Sequence, residues 1–296
     1  MPVQWFGVFL ALSAAALNAS IGILSKILIG QGFSPAAIAF YKTLLAVVLL
    51  SVVLLVVRKR QALKASGARW WQAAVCAMLG IFTLFFFETQ AYHYENAATV
   101  VVLLMASASV SSIILARIVL RDPIDLNITL GALLAIFGVY LIFKDSMGEG
   151  VNWQGGLYAV VAGFGYGSFS VCMKKMNILG GLIFTRMLLV WGAFYLFIPA
   201  SLSHELSVNI TPLTATLLLA LAVFPTILGF YCTTKAIQIL KPSQVQVIEL
   251  SEPIFAAVLA LLVLNEIPGI STLYGGASIL LGLIFANRLM NIRKCR

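Results

Sequence analysis

Residues 247–266 read VIELSEPIFAAVLALLVLNE. The run is as apolar as a membrane span, yet Glu249, Glu252 and Pro253 sit inside it. An ionised carboxylate at a bilayer centre costs roughly 2.5 kcal/mol or more on insertion scales, and proline removes a helix donor. Such a break is tolerated where backbone lines a cavity or neighbours satisfy it. Spaced i, i+3, the two acids are predicted to share one helical face, within reach of one cavity or partner. Pro253 frees a carbonyl one turn earlier, near Glu249.

Composition agrees with hydrocarbon. Of 296 residues, 61% are hydrophobic and 10% charged, with a mean hydropathy of +1.04. A water-facing domain carries about 25% charged residues. The chain is therefore predicted to be an all-α integral membrane protein with no separate soluble domain. Its net charge of +9 fits the positive-inside rule better than nucleic-acid binding. Cys76, Cys172, Cys232 and Cys295 form no CxxC pair, and His93 and His204 are scattered. Neither a metal site nor a disulfide framework is expected, and no cofactor is implied. The first apolar run lacks a basic leader and is expected to be a retained helix.

A span needs about 20 mainly apolar residues. Runs near 5–28, 35–57, 70–88, 96–118, 126–143, 155–174, 180–200, 213–234, 242–264 and 272–290 predict ten transmembrane helices. Ser34-Pro35 and Lys241-Pro242-Ser243 read as helix starts. With both termini cytoplasmic, 15 of the 19 Lys and Arg residues fall on the inner side, among them Arg58, Lys59, Arg60, Lys64, Arg69, Arg293, Lys294 and Arg296. That leaves Lys26 and Lys144 outside, and Lys42 and Arg186 within spans. The asymmetry sets the orientation.

The chain also repeats itself. TQAYHYENAATVVVLLMASASVSSIILARIVLRDP, from Thr89, lies in register on TKAIQILKPSQVQVIELSEPIFAAVLALLVLNEIP, from Thr234. GALLAIFG from Gly131 matches GGASILLG from Gly275, each with glycines seven apart, and Lys42 falls on Arg186. Residues 1–145 and 150–296 are thus predicted to be two five-helix repeats. Five is odd, so the second enters the membrane from the opposite side. Such inverted repeats are typical of secondary transporters, with substrate sites near the midplane.

Lys42, Arg186, Glu252-Pro253, Glu266 and the glycine-spaced fifth and tenth helices together resemble the EamA-type branch of the drug/metabolite transporter superfamily, over essentially the whole chain. The resemblance implies ten helices around a central cavity lined chiefly by helices 1, 3, 4, 6, 8 and 9. It implies export of small metabolites across a bacterial inner membrane, with no enzyme activity. Two features depart from the pattern: Ala108 stands where a proline is frequent, and LNASIG replaces an aromatic-glycine signature in the first span. The resemblance fixes no oligomeric state, and a monomer is compatible with it.

Each candidate has a bland and a functional reading. Glu252 is the first choice for a substrate or proton site, set against an interhelical salt bridge to Lys42 or Arg186. Glu249 would assist as an entry contact, with the same alternative. Lys42 and Arg186 are either gates or contacts for a substrate carboxylate, or they snorkel to headgroups. Glu88 reads first as an interfacial acid. Asn18, Tyr166, Ser107, Gln90 and Tyr231 are polar candidates on the other cavity helices, with Ser107 standing where the second repeat has Glu252. The run GFGYGS, residues 163–168, has small-xxx-small spacing and reads as close packing. The phenylalanines of LFFFETQAYHY face lipid or stack on a ligand.

Acids buried beside bases favour a zwitterionic, amino-acid-like substrate, with protons as the candidate coupling ion. Uptake or exchange by the same fold stays open as the alternative. An intramembrane enzyme would need a nucleophile-base pair or metal ligands, and neither H-E-x-x-H nor G-x-S-x-G occurs.

Overall fold

The computed structural model describes residues 2–56, 70–95, 97–123, 126–144, 152–202, 210–259 and 270–292. The basic loop 58–69, His204, Glu266, Pro268 and the tail residues Arg293, Lys294 and Arg296 lie outside them. Every regular element among the described residues is a helix, as hydrocarbon demands of a chain that must satisfy its own backbone. The elements are α1 (Pro2–Asn18), α2 (Ile21–Gly30), α3 (Pro35–Val56), α4 (Trp70–Tyr94), α5 (Ala97–Val119) and α6 (Leu126–Phe143). Then come α7 (Trp153–Lys175), α8 (Leu182–Leu202), α9 (Pro212–Ile239), α10 (Pro242–Glu249), α11 (Glu252–Leu259) and α12 (Ile270–Ile292).

Among the described residues seven stretches are long and apolar enough to cross a membrane, against the ten spans expected: Val3–Gly30, α3, α4, Thr99–Val119, α7, α8 and α9. Leu126–Leu141 and Tyr274–Phe285 are shorter apolar helices. Val48, Val52, Leu133, Phe137, Leu280 and Ile284 point outward, as lipid-facing side chains should.

Helix starts follow their capping residues. Ser34 Oγ accepts from the Ala37 amide at 3.2 Å where Pro35 opens α3. Thr211 and Thr214 cap each other reciprocally where Pro212 opens α9. At the far end of α9, the Lys174 ammonium donates to the carbonyls of Ile237, Gln238 and Leu240, at 3.0, 3.2 and 2.9 Å. A cation at a helix C-terminus satisfies oxygens that have no partner within the helix.

Two interruptions matter for function. The first span breaks after Asn18, at residues 19–20. The Glu252 segment breaks at Leu250 and Ser251, where the Ser251 amide tightens onto the Ile248 carbonyl at 3.0 Å. Pro253 cannot continue the ladder, so a new helix starts at Glu252.

α4 and α9 each contain a stretch of wide, π-helical turns, Met78–Thr83 and Ala222–Gly229. The cause in α9 is local. Pro225 has no amide to offer the Leu221 carbonyl, and the Thr226 hydroxyl takes that oxygen at 2.8 Å. In α4 the Thr83 hydroxyl reaches the Met78 carbonyl five residues back, also at 2.8 Å. Laying Thr89 on Thr234 lays one wide stretch inside the other.

Glycines set two close crossings. On α7, a Cβ at Gly163 would collide with the Leu104 carbonyl, and one at Gly167 would lie 2.5 Å from the Ala108 carbonyl. This is the packing that the small-xxx-small run GFGYGS predicts. Between α6 and α12 the contact is reciprocal. A Cβ at Gly138 would sit 2.5 Å from the Gly275 carbonyl, and one at Gly282 would sit 2.5 Å from the Gly131 carbonyl.

Candidate functional site

A buried cavity opens where α1, α3, α4, α5, α7, α9 and α11 converge. Its polar lining is Asn18, Lys42, Glu88, Tyr166, Thr226 and Glu252; its apolar lining includes Leu84, Phe85, Met105 and Phe230. The helix breaks help to build it. Asn18 is the last residue of α1, Thr226 lies in the wide turns of α9, and Glu252 opens α11. About 20 Å³ is open to the centre of a water-sized sphere. That is room for one or two waters, not for a metabolite.

Lys42 is 1% exposed, and its ammonium lies 4.0 Å above the centre of the Phe85 ring. A desolvated cation over an aromatic face is stabilised by the ring quadrupole. Lys42 therefore does not snorkel. Glu88 is 6% exposed and exchanges electrostatic influence with Lys42. The Tyr92 hydroxyl lies 3.5 Å from its Oε1, one helical turn on. The bland reading of Glu88 as an interfacial acid gives way here: Leu84, Phe85, Glu88 and Tyr92 form one inward stripe of α4, and that stripe is buried. Glu252 is 5% exposed, and both Glu88 and Glu249 act on it electrostatically. Among the described residues, neither Glu88 Oε2 nor Glu252 Oε2 has a hydrogen-bond partner.

Glu249 is different. Its two oxygens accept from the Tyr166 and Thr233 hydroxyls, each at 2.7 Å, and it is fully buried. It is a satisfied group pinning α10 to α7 and α9. The helix breaks between Glu249 and Glu252 at Leu250 and Ser251, yet the two acids still act on each other and both act on Tyr166. Glu252 lines the cavity, while Glu249 reaches it through the Tyr166 hydroxyl. Neither acid meets Arg186. The Arg186 Nε donates to the Ser51 hydroxyl at 2.8 Å, tying α8 to α3 away from the cavity.

The remaining candidates divide. Asn18 and Tyr166 line the cavity. Ser107 donates to the Val160 carbonyl at 2.8 Å and serves the α5–α7 crossing. Gln90 and Tyr231 are half-buried and outside the lining. Sequence reasoning raised Phe85 only as one of several phenylalanines that face lipid or stack on a ligand, without pairing it with Lys42, and it missed Tyr92 and Thr233. Phe85 and Tyr92 carried a usable signal, standing three and four residues from Glu88 on one helical face. Thr233 carried none, since its partner is 16 residues away on another helix.

The family model for the EamA-like transporter family matches the chain twice, over residues 5–144 and 153–288. No curated protein matches the sequence. Among solved structures, one described only as a crystal structure of a protein is similar with a TM-score of 0.77 at 15% identity. The match covers 98% of this chain and 99% of that one. At that identity the likeness speaks for the fold alone.

Proposed function

The chain belongs to the EamA-like transporter family, and from that premise we propose that it exports small polar or zwitterionic metabolites across a bacterial inner membrane. Members of this family are membrane transporters that move small molecules through the bilayer. The observation that carries the finer reading is the cavity. It places two carboxyls and one ammonium, Glu88, Glu252 and Lys42, among aromatic rings in the interior of the bundle. Ionisable side chains so placed mark substrate or ion pathways. An amino-acid-like molecule offers an ammonium to the acids and a carboxylate to the lysine. Proton coupling through Glu252 completes the proposal.

Its proposed architecture is ten spans in two inverted repeats, residues 1–145 and 150–296, with both termini cytoplasmic. The shared position of the wide turns in α4 and α9 supports this reading, as does the reciprocal glycine contact of α6 with α12. Alternating access in such folds is largely rocking of one repeat against the other around a fixed site. The small cavity suits an occluded stage of that cycle.

The test compares metabolites inside and outside cells with and without the protein, then measures flux of any compound so found in vesicles holding purified protein. Retention inside cells lacking the protein supports export. Depletion there supports uptake and overturns the direction. Absence of any difference and any flux overturns the transport reading.

A further inference from the structure

We propose that Glu88 and Glu252 together form one exchangeable proton site, with Lys42 as its fixed counter-ion and Glu249 outside it. The inference deepens the transport reading and takes its purpose from it.

Three observations meet in the cavity. First, Glu88 and Glu252 both line it, and each has a buried Oε2 without a hydrogen-bond partner among the described residues. Orphaned carboxylate oxygens in an apolar interior are costly. Their retention in one void points to something that visits them. Second, the charges do not balance. The two carboxylates of the lining face one ammonium, and Glu249, which also acts on Glu252, adds a third carboxyl and no positive charge; uncompensated buried charge is strongly unfavourable. Third, the free space is about 20 Å³, so what neutralises the excess is very small. A proton fits without displacing any side chain.

Glu249 drops out on geometry. Both of its oxygens already accept hydroxyl hydrogens, from Tyr166 and Thr233. The other groups that bear on the pair are Lys42 from α3, Tyr92 from α4, Tyr166 from α7 and, through charge alone, Glu249 from α10. Asn18 faces it from α1, and Cys232 of α9 acts on Glu249 rather than on the pair.

The step is a simple proton transfer. A proton from water joins a carboxylate lone pair, leaving one neutral carboxyl and one carboxylate opposite Lys42. It returns to water when the cavity opens on the other side. A substrate ammonium entering the pair would make the proton redundant and expel it.

The test uses the full chain purified in detergent and infrared difference spectra across pH, following the stretch of protonated carboxyl groups. The wild type is expected to show a titrating band. Glu88→Gln and Glu252→Gln should each abolish its titration, whereas Glu249→Gln and Glu88→Asp should keep it. Gel filtration reports whether each variant is folded; should either Gln variant fail, Glu88→Asp and Glu249→Gln decide. Wild-type titration in Glu88→Gln, or its loss in Glu249→Gln, overturns the proposal. Loss of the band when sodium chloride replaces choline chloride at fixed pH makes the occupant an alkali cation and also overturns it. Metabolite flux with no titrating band sinks the proton site alone, while a titrating band with no flux of any metabolite sinks the transport reading.

Discussion

Phe85 and Phe230 meet edge to face with ring centroids 5.3 Å apart, and the offset between them is the one that lays Thr89 on Thr234. On the proposed two-repeat architecture these are equivalent positions, and equivalent positions touch only near the axis that would relate the repeats. The Lys42 ammonium sits on the Phe85 member of that pair.

Removing that ring should be felt. Phe85→Leu keeps a large apolar side chain but withdraws the face beneath Lys42, worth about 2 kcal/mol for a desolvated cation. The melting temperature of the purified protein should fall, and by more than for Phe86→Leu, whose ring stacks on Phe82 instead.

The Glu249 hydroxyl pair should behave as one unit. Tyr166→Phe and Thr233→Val are each expected to cost about 1–2 kcal/mol, since each removes one hydrogen bond from a buried acceptor. In a background of Glu249→Gln the same changes should cost less. Thermal unfolding of the singles and doubles checks this; full additivity would mean the three side chains do not cooperate.

The two intramembrane cations should separate. Lys42→Ala leaves Glu88 and Glu252 without a counter-charge, while Arg186→Ala loses one bond to Ser51. Flux and melting temperature should both fall further for Lys42→Ala, and Arg186→Lys should approach the wild type. Equal losses would return Arg186 to the site.

Close helix approach gives a contrast across one helix pair, α6 and α12. Gly138→Val forces a side chain against the Gly275 carbonyl, whereas Gly276→Val meets nothing within 4 Å. Both put a β-branched residue in a helix, so propensity cancels to first order. Yield of monodisperse protein should collapse only for Gly138→Val.

Orientation has its own check. A reporter fused within residues 144–154 should behave as extracytoplasmic, and one fused after Arg60 as cytoplasmic. The opposite result would remove the support for inverted repeats as well.

Seven of the ten expected spans, the Glu252-Pro253 break and the glycine crossings are legible in the sequence because each depends on local chemistry: hydropathy, a missing amide, a missing Cβ. The partners of the acids are not. Glu249 and Glu252 look alike in the sequence, yet Glu249 accepts from Tyr166 and Thr233 while Glu252 lines the void with one oxygen unpartnered among the described residues. Glu88 reads as an interfacial acid until α3 and α11 pack over it. Burial of that kind is a tertiary property, and only the stripe of Leu84, Phe85 and Tyr92 hints at it beforehand.

The wide turns of α4 and α9 amount to slack wound into the two helices. A π turn spends about one residue more than an α turn, and each residue of an α-helix advances the winding by about 100°. Taking up that slack between Met78 and Thr83 would spin everything after it by roughly a quarter-turn or more, carrying Glu88 off the void while Trp70 and Trp71 stayed put. The helix would work as a faucet stem, its valve seat turning without its anchor moving. The same stored turn in α9 would swing Phe230 and Thr233, so the two stems together could exchange what faces the void without either helix leaving its place among its neighbours.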